Sequence, residues 1–435
     1  MIYDLSYFLT ILSSKLTEAN TEIDLLQIEK PFLFENSIIF KSLRRFQDEY
    51  LNAILKLSNL SFPVATIGTT SSGKSTLVNA LVGRRIAPIE AAEMSGGVLR
   101  IKHDTHVSLT IEKTHGMLWE HGTWNFLEDE SVYERIRNIM YKYHAKRKEG
   151  LIAAPQITVK GPLLALTNRN LLHLPDNMEV EFIDLPGLKS VKDDANIEVI
   201  RSQISGAFSL VTLDYLQTDE DNRSKLLKEL ENTIYKLGGR TDSMIFILNR
   251  VDAKGFDDEP LQKRIQVLKQ EIKHTLGLYE KPDILPLCAR LLYYAQCAWG
   301  TSPLDNQPNA PKDIQKHLVQ ALFNECASFL EEHYESSSHF EDWSFKLKRY
   351  IRNADLDLKS EDLRHLLKGS LHWSGGFDLW RKLQQKLHKS FIKFYLNPIV
   401  QEVDNAHSDL KLNLRQCFPD INLNTNFHSI LTLEV

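Results

Sequence analysis

Apolar positions along this chain follow two regimes, continuous short runs and helical spacing. The runs are "FPVATIG", "VEFIDLPG", "FSLVTLDYLQTDED", "MIFILNRVD" and "DILPLCAR", each closing on polar residues. Continuous apolar runs are what the strands of a parallel sheet need when both faces are covered. Ligands of such sheets bind at the carboxyl ends of the strands, so the polar tips are where a ligand should touch. "KSTLVNALVG" reads as a helix, with Leu77, Leu81 and Val82 on one side and Gly83 as its stop. The stretch between residues 95 and 184 reads as a long insertion holding one helix, in "TWNFLEDESVYERIRNIMYKYHAKRKEG".

The second regime flanks the first. Ile39, Leu43, Phe46, Tyr50, Ala53, Leu57 and Leu60 recur at alternating spacings of 4 and 3, a heptad seam. Ile399, Val403, Ala406 and Leu410 repeat that spacing, with Pro398 expected as a kink. Two such seams would pack on each other. After "LCAR" the chain is helical and polar, until "WSGGFDLWRKLQQKLHKSF" leads into a further helix. The pattern predicts an α/β protein. Its parts are an N-terminal helical segment over 1–60, a domain over 61–390 with a helical insert at about 291–371, and a C-terminal helix over 391–435.

Composition narrows the class. The 435 residues suggest two or three units at about 150 residues each. A net charge of −5 supplies no global basic field, so no nucleic-acid partner is expected. Cys288, Cys297, Cys326 and Cys417 form no C-x-x-C pair and read as reduced cytosolic thiols. "MIYDLSYFLTILSSK" carries Asp4 and no basic leader, so no signal peptide is expected. No apolar run nears the roughly 18 residues of a membrane span. The expected location is the cytoplasm, with any membrane contact peripheral.

The candidate chemistry begins at "GTTSSGKST", which matches the phosphate-loop pattern G-x-x-x-x-G-K-[ST] over Gly68, Thr69, Thr70, Ser71, Ser72, Gly73, Lys74, Ser75 and Thr76. Small residues at Ser71, Ser72 and Gly73 let successive N–H groups converge on a β-phosphate, helped by the N-terminus of the following helix. Lys74 would reach the β- and γ-phosphates, and the Ser75 hydroxyl would ligate Mg²⁺. "DLPG" sets Asp184 to hold Mg²⁺ through a water and the Gly187 N–H to meet the γ-phosphate.

"NRVD" chooses the base. A carboxylate at Asp252 accepts from both N1–H and the 2-amino group of guanine, whereas adenine leaves it partly unpaired. Asn249 can bridge the phosphate loop and the base, and Arg250, where Lys is usual, can lie flat over the ring. "LCAR" resembles the S-A-K loop of guanine sites, over Cys288, Ala289 and Arg290, with the Ala289 N–H facing the guanine oxygen. These motifs point to GTP rather than ATP.

"SFPVATIGTTSSGKSTLVNALVGRRIAPIEAAEMSGGVLRIKH" resembles the dynamin-like GTPases, bacterial members especially. The matching residues are Pro63, Gly68, Ser71, Ser72, Gly73, Lys74, Ser75, Leu81, Gly83 and Pro88. "DLPG" is that family's form of its third motif, and Asp219 resembles the Asp after its next strand. The resemblance implies a P-loop three-layer fold flanked by bundle helices, GTP hydrolysis with Mg²⁺, dimerisation through G domains, and membrane remodelling. It implies a catalytic set of Thr70, Ser71, Lys74, Ser95 and Gly187. Ser95 falls on the switch Thr that completes the Mg²⁺ shell, beside Ser75 and Asp184. Thr70 stands where the best-known members place a water-positioning Gln. Ser71 falls on the residue that stabilises transition-state charge with a monovalent cation and a second G domain, in place of an arginine finger.

Family members usually continue into a stalk and a lipid-binding tip. None stands out here, so the expectation is a fragment or a member whose partner supplies the membrane contact. Two other readings stay open: a regulatory GTPase of Era or septin type acting on a protein or ribosomal partner, and a nucleotide-binding scaffold with little turnover.

Overall fold

The computed structural model describes residues 5–58, 60–89, 97–146, 152–174, 178–187, 207–216, 243–255, 257–335, 346–351, 358–392 and 396–419, with 200, 203, 226–228, 230, 231 and 241. It divides into two compact units. The smaller comprises Met1–Ser61, His173–Glu179 and Gln385–Val435; the larger comprises Phe62–Leu172 and Val180–Gln384.

The larger unit is built on a nine-stranded sheet in the order β4-β3-β5-β2-β6-β1-β7-β8-β9. In chain order the strands are β1 (Leu60–Gly68), β2 (Val98–His103), β3 (Ser108–Ile111), β4 (Gly122–Asn125), β5 (Gln156–Gly161), β6 (Met178–Asp184), β7 (Phe208–Asp214), β8 (Met244–Asn249) and β9 (Ile284–Leu287). β1, β7, β8 and β9 run parallel to one another. β8 is buried at every position, which is why its sequence shows no alternation. Parallel register sets the strand tips side by side: Gly68 lies opposite Thr212, Asp214 opposite Asn249, and Asn249 opposite Leu287.

The expected insertion between residues 95 and 184 is instead half of the sheet. β2 runs parallel to β5 and antiparallel to β6, and β3 runs antiparallel to β4 and β5. Residues 123–125 of the expected helix belong to β4, and the helix itself is Asp129–Lys146.

Numbered in chain order, the longer helices are α1 (Leu5–Glu29), α2 (Ser37–Ser58), α3 (Lys74–Val82), α4 (Asp129–Lys146), α5 (Leu261–Thr275), α6 (Ala289–Trp299), α7 (Lys312–Glu335), α8 (Ser360–Trp373), α9 (Gly376–Phe391) and α10 (Asn397–Cys417). α3 stops at Gly83, whose left-handed backbone (φ 76°) turns its N–H back onto the Asn79 and Ala80 carbonyls. Gln296 of α6 is buried; its Nε2 donates to the Ala80 carbonyl and its Oε1 accepts from the Trp380 indole. That amide ties α6 to the helix leaving the phosphate loop.

In the smaller unit α2 and α10 pack antiparallel. Ile39, Leu43, Phe46 and Ala53 are buried on one helix, and Ile399, Val403, Ala406 and Leu410 on the other. Arg45 with Asp409 (2.6 Å) and Lys56 with Glu402 (3.3 Å) fix the direction of pairing. The seam is shorter than its spacing suggests, because Leu60 belongs to β1. Pro398 lies in the first turn of α10, where its missing N–H costs least. Among the described residues no helix is long and apolar enough to cross a membrane.

Candidate functional site

The site forms at the tip of β1. The chain must turn from a buried strand into α3 within a few residues, and close approach demands small side chains. A Cβ on Gly68 would collide with the Thr212 hydroxyl and with the hydroxyl of Ser72. Gly73 is left-handed (φ 87°), and a Cβ there would strike the Asn249 amide. Ser71 also adopts a left-handed backbone (φ 62°), uncommon for a residue with a side chain. The Ser72 hydroxyl meets the Thr69 carbonyl at 2.9 Å and the Thr212 hydroxyl at 2.9 Å, and Thr212 donates to the Ile67 carbonyl. The loop is thus braced from β7. Lys74 is buried, with Nζ donating to the Thr69 carbonyl at 2.9 Å and to that of Gly68 at 3.4 Å.

The second edge of the site comes from β6. Asp184, 3% exposed, closes that strand. Its Oδ2 accepts from the Ser75 hydroxyl at 2.7 Å and its Oδ1 from the Thr66 hydroxyl at 3.3 Å. A hydroxyl from the first turn of α3 and a carboxylate from the end of β6 thus converge, an all-oxygen donor pair of the kind that suits Mg²⁺. Gly187 lies directly against Thr70: an added Cβ would sit 2.7 Å from the Thr70 Cα. The Thr70 hydroxyl is buried and has no hydrogen-bond partner. Thr76 is half-buried in the first turn of α3. Ser95 and Asp219 lie outside the described residues.

The third edge joins β8 and β9. Asn249, 2% exposed, donates through Nδ2 to the Ser72 carbonyl at 2.8 Å and accepts through Oδ1 from the Ala289 N–H at 2.9 Å. One amide therefore spans the phosphate loop and the "LCAR" loop. Arg250 pairs with Asp214, Nη1 to Oδ2 at 3.0 Å. Asp252 sits in the single turn Val251–Ala253. It lies near enough to Cys288 and Arg290 to act electrostatically on both.

Cys288 caps α6, its sulfur accepting from the Leu291 N–H. A hydrogen bond with Cys326, followed by burial, holds its thiol well above the ordinary range. It is a neutral cap, with none of the thiolate character a nucleophile needs. Arg290, expected at the nucleotide, is engaged with Glu325 of α7 at 3.0 Å.

The residues that motif reading missed are Thr66, Thr212, Asp214 and Tyr215. Each acts across the sheet, so only strand register brings it to the site.

The model of the Dynamin family matches residues 64–251, less than half of the chain. No curated protein matches. Among solved structures, an Era variant from Aquifex aeolicus bound to GDP and aluminium fluoride is 16% identical, over 53% of this chain and 52% of that one, with a TM-score of 0.27. The chain thus spans about half of that Era chain. Two chains of an oligomerised bacterial dynamin pair, described as sensing and tethering membranes at long range, are 14% and 17% identical. They cover 94% of this chain and 79% and 53% of their own, each at a TM-score of 0.40.

Proposed function

We propose that this dynamin-like GTPase converts GTP to GDP in the cleft between the phosphate loop, "DLPG" and "NRVD", and couples turnover to pairing of G domains and remodelling of a membrane. The larger unit is read as the G domain and the α2–α10 pair as its bundle. The observation that carries the reading is the Asn249 amide. By joining the Ser72 carbonyl to the Ala289 N–H, it sets the phosphate end and the base end of one nucleotide at a fixed separation.

The roles follow from position. Lys74 neutralises charge on the β- and γ-phosphates, and the loop amides converge on the β-phosphate. Ser75 and Asp184 would hold Mg²⁺, as dynamin-family GTPases generally do; the ion supplies charge neutralisation across the phosphate oxygens. Ser95 is assigned the remaining hydroxyl of that shell. The unpartnered Thr70 hydroxyl, packed on Gly187, is assigned the orientation of the attacking water. The exposed Ser71 is assigned the transition-state charge, together with a monovalent cation brought in by a second G domain. Asp252 reads guanine, with Arg250 over the ring; the Ala289 N–H, expected on the guanine oxygen, is instead given to the Asn249 amide and takes no part in reading the base. Catalysis is then positioning and electrostatics, with no covalent step on the protein.

The test is GTP turnover against protein concentration, with and without liposomes. Specific activity that rises with concentration supports pairing of G domains, and a further rise with liposomes supports the membrane role. Activity flat in concentration but raised by a protein partner favours a regulatory GTPase. Tight GTP binding without turnover favours a scaffold. Lys74→Ala should abolish turnover in every case, and retained activity would overturn the site.

A further inference from the structure

We propose that Asp214, which lies outside every motif named above, is the positioning residue of the base pocket, and that it sets guanine selectivity by holding the Arg250 guanidinium in a fixed plane. The inference rests on the reading of Arg250 and Asp252 as the guanine-recognition residues.

β7 ends at Asp214, in register with Asn249 at the end of β8, so its carboxylate stands beside the start of the base loop. Oδ2 accepts from Arg250 Nη1 at 3.0 Å and Oδ1 from the Leu216 N–H at 3.0 Å. With both oxygens engaged and the side chain only 10% exposed, the carboxylate cannot swivel. Arg250 keeps one third of its side chain open to solvent. Its backbone is left-handed (φ 66°, ψ 34°), a conformation uncommon for a residue with a Cβ. Such a conformation persists only where the surroundings over-determine it.

The next residue anchors the rest of the loop. The Tyr215 N–H donates to the Asn249 carbonyl at 2.9 Å, and its hydroxyl donates to Asp258 Oδ2 at 3.0 Å. That same oxygen accepts from the Gly255 N–H at 2.8 Å. The Arg264 guanidinium lies over the Tyr215 ring, 4.2 Å from its centre. Asp214 and Tyr215 therefore tie the loop at its beginning and its end.

The pairing also accounts for Arg at this position. A guanidinium gripped by its edge keeps both planar faces free for stacking on a base. A lysine gripped by the same carboxylate would offer only its methylene stem, a narrower platform. Asp214 and Arg250 are thus a matched pair, and neither makes the platform alone.

The test uses the full chain and fluorescent GDP, displaced by GDP or ADP. Wild type without a preference for GDP over ADP overturns the underlying guanine reading, and this inference with it. Given that preference, Asp214→Asn and Arg250→Lys should each lower the GDP-over-ADP affinity ratio about tenfold, a loss typical of one charge-assisted contact. ADP affinity should fall as well, because the platform stacks on either purine, but by less than GDP affinity does; an unchanged melting midpoint without nucleotide certifies the fold. The double variant should be no worse than either single. An unchanged ratio in Asp214→Asn, or losses that multiply in the double variant, overturns the proposal. Should Asp214→Asn fold poorly, Arg250→Lys is read alone against the same criterion, because it leaves the bond from Asp214 to Leu216 intact.

Discussion

Asn249 shows how much one buried side chain can carry. Replacing it with Ala strands a carbonyl at Ser72 and an N–H at Ala289, each desolvated. An unsatisfied buried group costs about 1–3 kcal/mol, so Asn249→Ala should cost roughly 2–6 kcal/mol, read as a lower melting midpoint, and should lose GDP binding. Gly187 makes the opposite kind of test, because adding one carbon there presses on the Thr70 backbone rather than on a flexible tip. Gly187→Ala should slow GTP turnover roughly ten- to a hundredfold, as a displacement of about 1 Å at a reacting centre does. Its GDP affinity should stay near wild type, since the clash is at the Thr70–Gly187 contact and not at the base. Glycines and Asn249 were legible in the chain because their spacing reflects backbone demands within one turn. Thr66, Thr212 and Asp214 were not, because what they touch depends on which strands are neighbours.

At the scale of elements the same division holds. β1, β6, β7, β8 and β9 announced themselves as unbroken apolar runs because the fold covers them on both faces. β3 and β4 are four-residue strands whose exposed positions alternate, too short a pattern to stand out from a loop. The α2–α10 seam was legible from its spacing, and magnitudes decide what holds it. Phe46 is fully buried, and Phe46→Ala should cost about 3–5 kcal/mol. Arg45 and Asp409 are more than half exposed, so Arg45→Ala should cost under about 1 kcal/mol. Urea midpoints followed by helical circular dichroism compare the two.

His407, packed against the Phe46 ring, adds a pH dependence. Burial first, and Lys411 after it, pull its pKa below the ordinary value, while Asp404 opposes. The unfolded chain then takes the proton first. The stability contributed by neutral His407 is complete above the unfolded pKa of about 6.5 and is lost as pH falls from there toward the folded value. His407→Gln should flatten the fall in urea midpoint between pH 7.5 and 5.5, and an unchanged slope would remove His407 as its source.

For the whole molecule, every described residue of the proposed site, from Gly68 to Arg290, falls within the larger unit. A ligand that binds only the folded chain therefore reports on that unit through mass action. GDP at one hundred times its dissociation constant should add about 2.7 kcal/mol, a rise of a few degrees in melting midpoint. Lys74→Ala should abolish the rise, and ADP at the same concentration should not produce it. The base can then be read by exchanging hydrogen-bonding partners. The Asp252 carboxylate offers two acceptors, matching the two donors on guanine. Asn at that position offers one acceptor and one donor, and the matching base has a carbonyl where guanine has its amino group, which is xanthine. Asp252→Asn should lose its stabilisation by GDP and gain it from xanthosine diphosphate. A variant still stabilised by GDP and indifferent to xanthosine diphosphate would place the base elsewhere. Because wild type and variant differ by a single atom on a half-buried turn, the exchange tests recognition without disturbing the core.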